Sequence, residues 1–482
     1  MNHRSRPLRG PALCLIGAAL AGVLAGCRSY ERAPLDLVGH AADFQRRATV
    51  GEPLRAFAAR LASSGGPAPE RFDPADGLSP AEGEVLALFF NADLRLARLD
   101  AGIALADFQT AGLWRDPEFG FDAAEVLSPA GVFEYGLTLS LTIPVSGRLG
   151  VEEDRAGAAY EAELRRLVDA EWSVRAEVRS AWAEWGASAE RVRLLGEAGR
   201  RTERITLLTD RLEEAGELTR IESRLIRAEA LAVKADLIAA RHAEVGARLR
   251  LFGLMGLPAD AGVDLLPSFR TADIPNVADD ARRLIEHNTE LAVRRAEYGV
   301  AEQELRLEVR KQYPDITIGT GYGNEGDDRL LLGVSFPIPI LNANRAGIAE
   351  ARARRDLARA AAETTFERLA RELAAARAEA RAVREQRGAV EAELIPLLEQ
   401  QAVEVERIVE LGEVDTPLLL ETVTRGFEAR AVLLELRVRE IRAINEIARL
   451  LGPSDAISPA PVRPSSDVFE ESVGSAPEEA RR

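Results

Sequence analysis

Two stretches of the sequence decide the fold: FEYGLTLSLTIPVSGRLGVEEDRA at residues 133–156 and LLLGVSFPIPILNANRAGIAEARA at residues 330–353. In the first, every second residue from Phe133 to Val145 is apolar, and the residues between them are mostly small or polar. This period of two predicts a strand with one bulky apolar face. A shift of 197 residues aligns the stretches through six identical pairs: Gly136/Gly333, Arg148/Arg345, Gly150/Gly347, Glu153/Glu350, Arg155/Arg352 and Ala156/Ala353. The sequence therefore predicts the same strand-to-helix junction twice.

The repeat extends on both sides of these junctions. The same shift pairs Asn91, Leu94, Gly102, Ala104 and Pro117 with Asn288, Leu291, Gly299, Ala301 and Pro314, and a shift of 196 pairs Gly216-Glu217-Leu218 with Gly412-Glu413-Val414 and Gly256 with Gly452. Because proline is accepted at the first residue of a strand, Pro117 and Pro314 predict a second strand in each copy. Residues 323–328 (GNEGDD) predict an exposed hairpin loop. The segment from about 91 to 256 is therefore duplicated.

Each copy also contains a pair of long helices. Between Arg345 and Leu411 the only proline is Pro396, and a helix of that length would span roughly 100 Å. Apolar residues recur at spacings of three and four, as in a coiled-coil seam: Ala402, Val405, Ile408, Val409, Leu420, Val423, Phe427, Ala431 and Leu434. Gly216 and Gly412 predict sharp tips between paired helices. The predicted fold is mainly α with a small β part: two tandem repeats of long coiled-coil helical hairpins, each with two strands.

The N-terminus has the features of an export signal. Residues 1–26 carry three arginines followed by a short apolar run, and the run ends in Leu24-Ala25-Gly26-Cys27. This tetrad resembles the bacterial lipobox and predicts a lipoprotein signal peptide with acylation (palmitate) at Cys27. The alternative is an ordinary signal peptide with an incidental cysteine. Cys14 lies inside the signal, so a mature chain with one cysteine forms no internal disulfide. We expect residues 27–80 to be an extended segment behind the lipid anchor.

Composition excludes several classes of function. The formal net charge is −16, which argues against nucleic acid as a partner. The histidines (His3, His40, His242 and His287) lack ligand-spaced partners, and the chain lacks Met or Cys clusters and a glycine-rich phosphate loop. The sequence thus predicts a protein that is not an enzyme and holds no cofactor or metal. After Cys27 no apolar stretch is long enough for a helical membrane span.

The four predicted strands imply an oligomer. Four strands cannot close a membrane barrel, which needs at least about eight. Two chains would give eight strands around a filled interior, whereas three chains would give twelve strands around a lumen. The sequence therefore favours a homotrimer if the strands form a pore.

The segment from Gly333 to Arg352, GVSFPIPILNANRAGIAEAR, resembles the strand-to-helix junction of the TolC-like outer-membrane efflux proteins. Its PIPILN and IAEA portions are most similar to the CzcC-like heavy-metal branch. The resemblance covers about residues 80 to 453, with repeat 1 at 81–270 and repeat 2 at 271–453. It implies a trimeric 12-stranded outer-membrane β-barrel continued by a periplasmic α-helical barrel. An inner-membrane efflux pump and a periplasmic adaptor (membrane fusion protein) would deliver metal cations or small toxic compounds to this tunnel.

The resemblance also assigns roles to a few residues. It implies that the helical tips contact the adaptor or the pump; these are Gly216, Glu217, Leu218 and Thr219, and Gly412, Glu413 and Val414. Family members carry acidic rings at the channel entrance just after the second tip. Here the first of those positions is Leu418 and the second is Glu421, and Asp415 could add a ring. The alternative is that Glu421 is a solvated helix charge.

The sequence leaves two alternatives open. A non-conducting, lipid-anchored coiled-coil scaffold of the envelope would also use the anchor and the helices, although it leaves the alternating strands unexplained. The exported substrate is not encoded in any recognisable pattern. Residues 454–482 are rich in Pro, Ser and Glu, which predicts a disordered tail.

Overall fold

The computed structural model describes residues 30–47, 51–63, 72–125, 127, 133–269, 273–274, 279–324, 327–410 and 416–453. The chain divides into two compact units, Met1–Arg47 and Ala48–Arg482. In the first unit the described residues form helix α1 (Leu37–Gln45), whose N-terminus is capped by the Asp36 carboxylate. All other elements belong to the second unit. Within the described ranges, no helix combines the length and the apolar character that crossing a membrane requires.

Helices dominate the second unit. They are α2 (Glu52–Ser63), α3 (Pro80–Phe90), α4 (Ala92–Thr110), α5 (Arg148–Ala215), α6 (Arg220–Leu254), α7 (Asp280–His287), α8 (Thr289–Arg310), α9 (Arg345–Ala389), α10 (Ile395–Glu410) and α11 (Thr416–Leu451). A short 3-10 helix (Pro74–Asp76) precedes α3, and a π-helical segment (Val390–Leu394) joins α9 to α10.

The prediction of an extended segment over residues 27–80 was wrong in the described part. Helices α1 and α2 form there instead. In α2, Leu54 and Ala58 are buried in the core next to Leu86 of α3, and their spacing of four places them on one side of the helix. This helical spacing of apolar residues is the sequence pattern that would have predicted α2.

Four strands form one antiparallel sheet in the order β1 (Glu118–Glu125), β2 (Phe133–Ile143), β3 (Ile316–Asn324) and β4 (Asp328–Ser335). The sheet therefore joins both repeats through the β2–β3 pair. The predicted alternation continued to Val145 and Ile340, but the strands end earlier. Pro144 directly follows β2, and Pro337 lies two residues after β4. A proline has no N–H to donate to the ladder.

Each repeat has its own apolar core. In the first, Trp182 of α5 packs with Val85 of α3 and with Phe252 and Met255 at the end of α6. In the second, Leu369 and Leu373 of α9 pack with Leu284 of α7 and with Ile447 and Leu450 of α11. Helices α5 and α8 pack against each other, as do α5 and α11. Two similar helical units are thus joined side by side.

The predicted long helices form. Helix α5 runs for 68 residues without interruption, and the run from Arg345 to Glu410 is continuous except for the π-helical segment. In the predicted seam, Val405, Val423 and Leu434 are buried, whereas Ile408 is exposed.

Candidate functional site

The four-stranded sheet has two chemically different faces. Residues directly opposite each other in a ladder point to the same side, and alternate residues point to opposite sides. Phe119 lies opposite Leu139, which lies opposite Thr320, which lies opposite Leu332. Phe119, Leu139 and Leu332 are 69%, 49% and 81% exposed. One face of the sheet is therefore bulky, apolar and uncovered in the single chain.

The other face is small and polar. Thr142 and Thr317, which lie opposite each other on β2 and β3, share a hydrogen bond between their hydroxyls at 3.0 Å. Six glycines lie on this face: Gly120, Gly136, Gly319, Gly321, Gly323 and Gly333. Strands β1 and β4 are the edges of the sheet, so each leaves a row of backbone N–H and C=O groups open to pairing.

A polar cluster fixes the β2-to-α5 junction. Gly147 caps α5 in the left-handed conformation, with φ +68°. The Ser146 hydroxyl donates a 2.8 Å hydrogen bond to Asp315, just before β3, and Arg148 contacts the same carboxylate at 3.3 Å. These contacts hold the start of α5, in repeat 1, against the start of β3, in repeat 2.

The equivalent junction in repeat 2 is built differently. Asn344, which matches Gly147, caps α9 with φ +51°, and its neighbour Ala343 has φ +47°. The Asn344 side-chain amide donates to the backbone oxygen of Glu308 (2.8 Å) and to its carboxylate (2.7 Å). Burial acts to raise the pKa of Glu308, but hydrogen bonds from Lys311 and Asn344 outweigh it and the pKa is lowered.

The matched asparagines and glycines of the repeat form two equivalent clamps. Asn91 and Asn288 cap α4 and α8: the side-chain oxygen of Asn91 accepts hydrogen bonds from two backbone N–H groups of the first turn, and that of Asn288 accepts one. Their amide groups donate to Leu254 O (2.9 Å) and Leu450 O (2.8 Å), near the ends of α6 and α11. We call these the Asn–Gly clamps.

The glycine of each clamp follows the helix end. Gly256 and Gly452 have φ +68° and +74°, a conformation that favours glycine. A Cβ at either position would collide with a backbone carbonyl oxygen, that of Phe90 or of His287. Each clamp therefore holds the end of one helix against the start of another.

The first predicted tip is a tight turn between α5 and α6. Gly216 caps α5 with φ +78°, and the N–H of Glu217 donates to Leu212 O at 2.9 Å. Thr219 caps α6 in a capping box with Glu222, and hydrogen bonds from Thr219 lower the pKa of that carboxyl group. Leu218 lies between the two caps. The turn is thus built by local chemistry.

The second tip is only partly described. Gly412, Glu413, Val414 and Asp415 lie outside the described residues, as does Cys27. Glu421, on the first turns of α11, is half-exposed and pairs with Arg425 at 2.7 Å. A ring of such glutamates would therefore carry arginines beside it.

Two buried ion clusters were not anticipated from the sequence. In repeat 1, Glu84 contacts the buried Arg175 (2.8 Å) and Arg179. In repeat 2, the fully buried Glu440 contacts Arg384 (2.7 Å) and Arg387 (2.6 Å). The partners lie far apart in the chain, so no spacing rule would have identified them.

A third charged group surrounds the π-helical segment. Glu391 accepts hydrogen bonds from Arg387 and from Arg437 (2.7 Å), and these two arginines lower its pKa, Arg437 most strongly. In the described part of the chain, no group of three or more His, Cys, Asp or Glu side chains is placed to hold a metal ion.

Comparison with known proteins agrees with this architecture. The family model described as "Outer membrane efflux protein" matches residues 86–257, a range that runs from α3 through β1, β2, α5 and α6. The match covers 172 of the 482 residues and shows that this segment is similar to outer-membrane efflux proteins. A search of curated protein sequences found no significant match.

Solved structures share the fold over most of the chain. The CmeC outer membrane channel of Campylobacter jejuni is 15% identical with a TM-score of 0.68, and the match covers 84% of this chain and 92% of that one. The MtrE outer membrane channel of Neisseria gonorrhoeae, solved in its open state, is 17% identical with a TM-score of 0.66, over 77% and 88%. The outer membrane protein VceC of Vibrio cholerae is 16% identical with a TM-score of 0.66, over 80% and 98%.

Proposed function

We propose that this chain is the outer-membrane channel subunit of a tripartite efflux system, and that three copies form the conducting tunnel. The observation that carries the proposal is the sheet, which has one exposed apolar face, one small polar face and two unpaired edges. Lipid on the apolar side and water on the polar side would satisfy both faces.

The dimensions support this arrangement. Strand β2 has 11 residues, and at the tilt usual for membrane strands it would rise roughly 28 Å, close to the apolar band of about 25 Å in outer-membrane barrels. Three sheets of four strands would give a closed ring of twelve. Pairing β1 of one copy with β4 of the next would remove both open edges.

The helices supply the tunnel wall in this proposal. Helix α5 alone would be roughly 100 Å long, which suits a conduit through the periplasm and exceeds what a compact domain needs. Acylation of Cys27 would hold each copy at the inner leaflet of the outer membrane. The tips at Gly216–Thr219 and Gly412–Val414 would meet the periplasmic adaptor or the inner-membrane pump. Metal cations and small toxic compounds are the substrate classes proposed.

The first experiment places a charge on each face of the sheet. Leu139→Arg lies on the apolar face, and Ser140→Arg, its matched control, lies on the polar face next to it. An arginine at the bilayer midplane costs about 2–4 kcal/mol, whereas one facing a lumen costs little. We expect Leu139→Arg to abolish conducting trimers in planar bilayers and Ser140→Arg to retain them with altered conductance. Equal loss, or no loss, in both variants would contradict the proposal.

The entrance ring is tested separately. Three Glu421 side chains converging on an axis, with Asp415 nearby, would attract cations and narrow the entrance. Glu421→Ala, alone or with Asp415→Ala, should raise single-channel conductance or weaken block by cations. Arg425→Ala is the control, because it removes the charge that pairs with Glu421 and keeps the carboxylate itself. Unchanged conductance and selectivity in the double variant would remove the ring and leave Glu421 as a solvated charge.

The competing proposal is the non-conducting scaffold. It predicts a protein that extracts as a monomer or dimer and gives no channel activity. Native mass measurement in detergent, followed by bilayer recording, separates the two. Deletion of the gene and a survival screen across metals, dyes, detergents and antibiotics would then identify the substrate class.

A further inference from the structure

We infer that the end of helix α8 next to the sheet binds the headgroup of an anionic phospholipid through Arg306 and Arg310. The inference rests on the proposed outer-membrane channel and assigns a lipid partner to one of its surfaces. This surface is named here the α8 patch, and it consists of Arg306, Val309, Arg310 and Tyr313.

The four residues of the α8 patch share one side of the helix end. They follow one another at spacings of three, one and three, the period of a single helix face. The two arginines are exposed, and Val309 and Tyr313 are 38% and 58% exposed. Tyr313 continues the helix in a turn, because its N–H donates to Arg310 O at 3.0 Å. Within the described chain neither arginine forms an ion pair, so the patch presents two positive charges without an anion.

The other sides of α8 are occupied or face a cleft. Helix α8 lies between α5 and α9 and packs on both. Its residues Glu304, Glu308 and Lys311 line a cleft that it shares with the ends of α4, α5 and α9. At 3.6 residues per turn, these cleft residues lie roughly opposite the two arginines of the patch. The α8 patch is therefore the side of the helix that faces away from the cleft.

The sheet shows which side of the molecule the patch occupies. Thr317 lies on the polar face of the sheet, and Asp315, two residues earlier, contacts Arg148 at 3.3 Å. Arg148 also pairs with Glu152, which lines the cleft. The cleft thus continues the polar face, and the α8 patch lies on the side of the apolar face. The proposed function places that side against lipid.

The side chains along this side change in the order of a membrane–water interface. Strand β3 begins with the apolar Ile316, Tyr313 precedes it, and Arg310 and Arg306 lie progressively further from the sheet. The Arg310 guanidinium is 3.9 Å from the position of a Cβ on Gly147, at the start of α5, and so lies level with the strand-to-helix junction. From Tyr313 to Arg306 the helix rises roughly 10 Å, which spans a headgroup layer of roughly 5–8 Å.

Aromatic side chains mark the same level on the neighbouring connections. Trp114 lies just before β1 and Phe336 directly after β4, and they are 56% and 55% exposed. Tryptophan and tyrosine are enriched at membrane interfaces, and basic residues beside them attract anionic lipids. The α8 patch therefore supplies the cations of this interface.

The two arginines also require an anion for a local reason. Like charges four positions apart on a helix destabilise it, and Arg306 and Arg310 have this spacing. Glu302, one turn before Arg306, pairs with Arg355 at 3.8 Å and does not pair with the patch. Guanidinium groups bind phosphate through paired, charge-assisted hydrogen bonds. A phospholipid phosphate would stand between the two arginines at the level where headgroups lie.

Repeat 1 does not carry an equivalent surface. A shift of 197 places Gln109, Gly112, Leu113 and Asp116 at the positions of the patch, so neither arginine has a basic counterpart. A trimer would consequently bind three phospholipids in this way, one for each chain.

Native mass measurement of the trimer in detergent tests the site. With added dioleoyl phosphatidylglycerol we expect up to three bound lipids per trimer, and weaker binding of the zwitterionic dioleoyl phosphatidylethanolamine. The double variant Arg306→Gln with Arg310→Gln should bind phosphatidylglycerol about 25-fold more weakly, about fivefold for each arginine. Its binding of phosphatidylethanolamine should stay unchanged, which shows that the trimer itself is intact.

Two variants with the same change of charge are the controls. Lys311→Gln lies at the level of the patch but in the cleft, where Lys311 pairs with Glu308 at 2.5 Å. Arg295→Gln lies on the exposed side of α8, 15 residues and roughly 22 Å further from the sheet. Both should keep the wild-type preference for phosphatidylglycerol.

Three results would overturn the site while the proposed function stands. They are equal binding of both lipids by the wild-type trimer, a loss in either control as large as in the double variant, and displacement of the lipid by inorganic phosphate at the same concentration. Binding that appears only after removal of residues 454–482 would assign the arginines to the tail and would also overturn the site. If only single chains are observed, the proposed function fails together with the inference.

Discussion

The two repeats agree closely at their clamps and differ in the hairpin beyond them. Asn91 and Asn288 make the same cap and the same bridge, and Gly256 and Gly452 share one backbone conformation. In contrast, α5 is one uninterrupted helix, whereas the matching run of repeat 2 contains the π-helical segment Val390–Leu394. The duplication has therefore preserved the joint between helices, whereas the distal hairpin has changed.

The differences lie together in repeat 2. The π-helical segment is bordered by the Glu440 cluster and by Glu391 with its two arginines. A π turn widens the helix locally and is common at functional positions. Repeat 1 places its buried cluster at Glu84, beside the apolar core of α3 and α5. Ionic contacts thus support the core in the first copy and a helix irregularity in the second.

The largest expected effect comes from the clamp glycines. Gly452→Ala and Gly256→Ala should each lower the free energy of unfolding by about 4 kcal/mol, because alanine is strained at these φ values and its Cβ meets a carbonyl oxygen. Urea unfolding followed by helical circular dichroism measures the loss. Equal losses would support equivalent clamps.

Glycines inside helices are the matched controls for that prediction. Gly199 of α5 and Gly426 of α11 have nothing within 4 Å of an added Cβ, so alanine there should stabilise the protein by about 0.5–1 kcal/mol. If one clamp variant is stabilised like these controls, the glycine in that clamp does not restrain the helix end. The two clamps would then not be equivalent.

The buried carboxylates should rank next. Glu84→Gln and Glu440→Gln each leave two arginines without their anion, and we expect losses of about 3 kcal/mol. The loss should be larger for Glu84, because Arg175 is itself buried and its pKa is already lowered by burial, whereas Arg384 and Arg387 reach solvent. The exposed pair Glu379–Arg439 supplies the control, and Glu379→Gln should cost less than about 1 kcal/mol. A larger loss at Glu440 would reverse the expected ranking.

Much of this architecture follows from local patterns. Alternation in Phe133–Val145 predicted β2, and Gly216 predicted the turn between α5 and α6, because cap and turn chemistry acts over a few residues. The matched asparagines marked the repeat, but their role as helix caps was not predicted. The buried clusters could not be found this way: Glu440 meets arginines from another helix, and a charged residue normally predicts exposure. The π-helical segment was also missed, since a single inserted residue leaves the helical period almost unchanged.

The clamp asparagines should have a moderate effect. Asn288→Ala and Asn91→Ala remove both the N-cap and the bridge to the neighbouring helix end, which should cost about 2 kcal/mol in each repeat. Serine keeps the cap but is too short for the bridge, so Asn288→Ser and Asn91→Ser should cost about half as much. Urea unfolding again provides the measurement. If serine costs as much as alanine, the bridge carries the stability and the cap contributes little.

The smallest expected effect separates the two strand-to-helix junctions. Ala343 has a positive φ that glycine adopts without strain, so Ala343→Gly should raise stability by about 1 kcal/mol. Gly147, which matches Asn344, is the residue of positive φ in the repeat 1 junction, and Gly147→Ala should lower stability by about the same amount, since no nearby atom obstructs the added Cβ and only the backbone strain counts. One variant removes the strain of a non-glycine residue at positive φ and the other introduces it, so their effects on stability should have opposite signs. If Ala343→Gly is neutral or destabilising, the hydrogen bonds of Asn344 to Glu308 hold that junction in place at no cost in strain, and the two junctions differ in mechanism as well as in sequence.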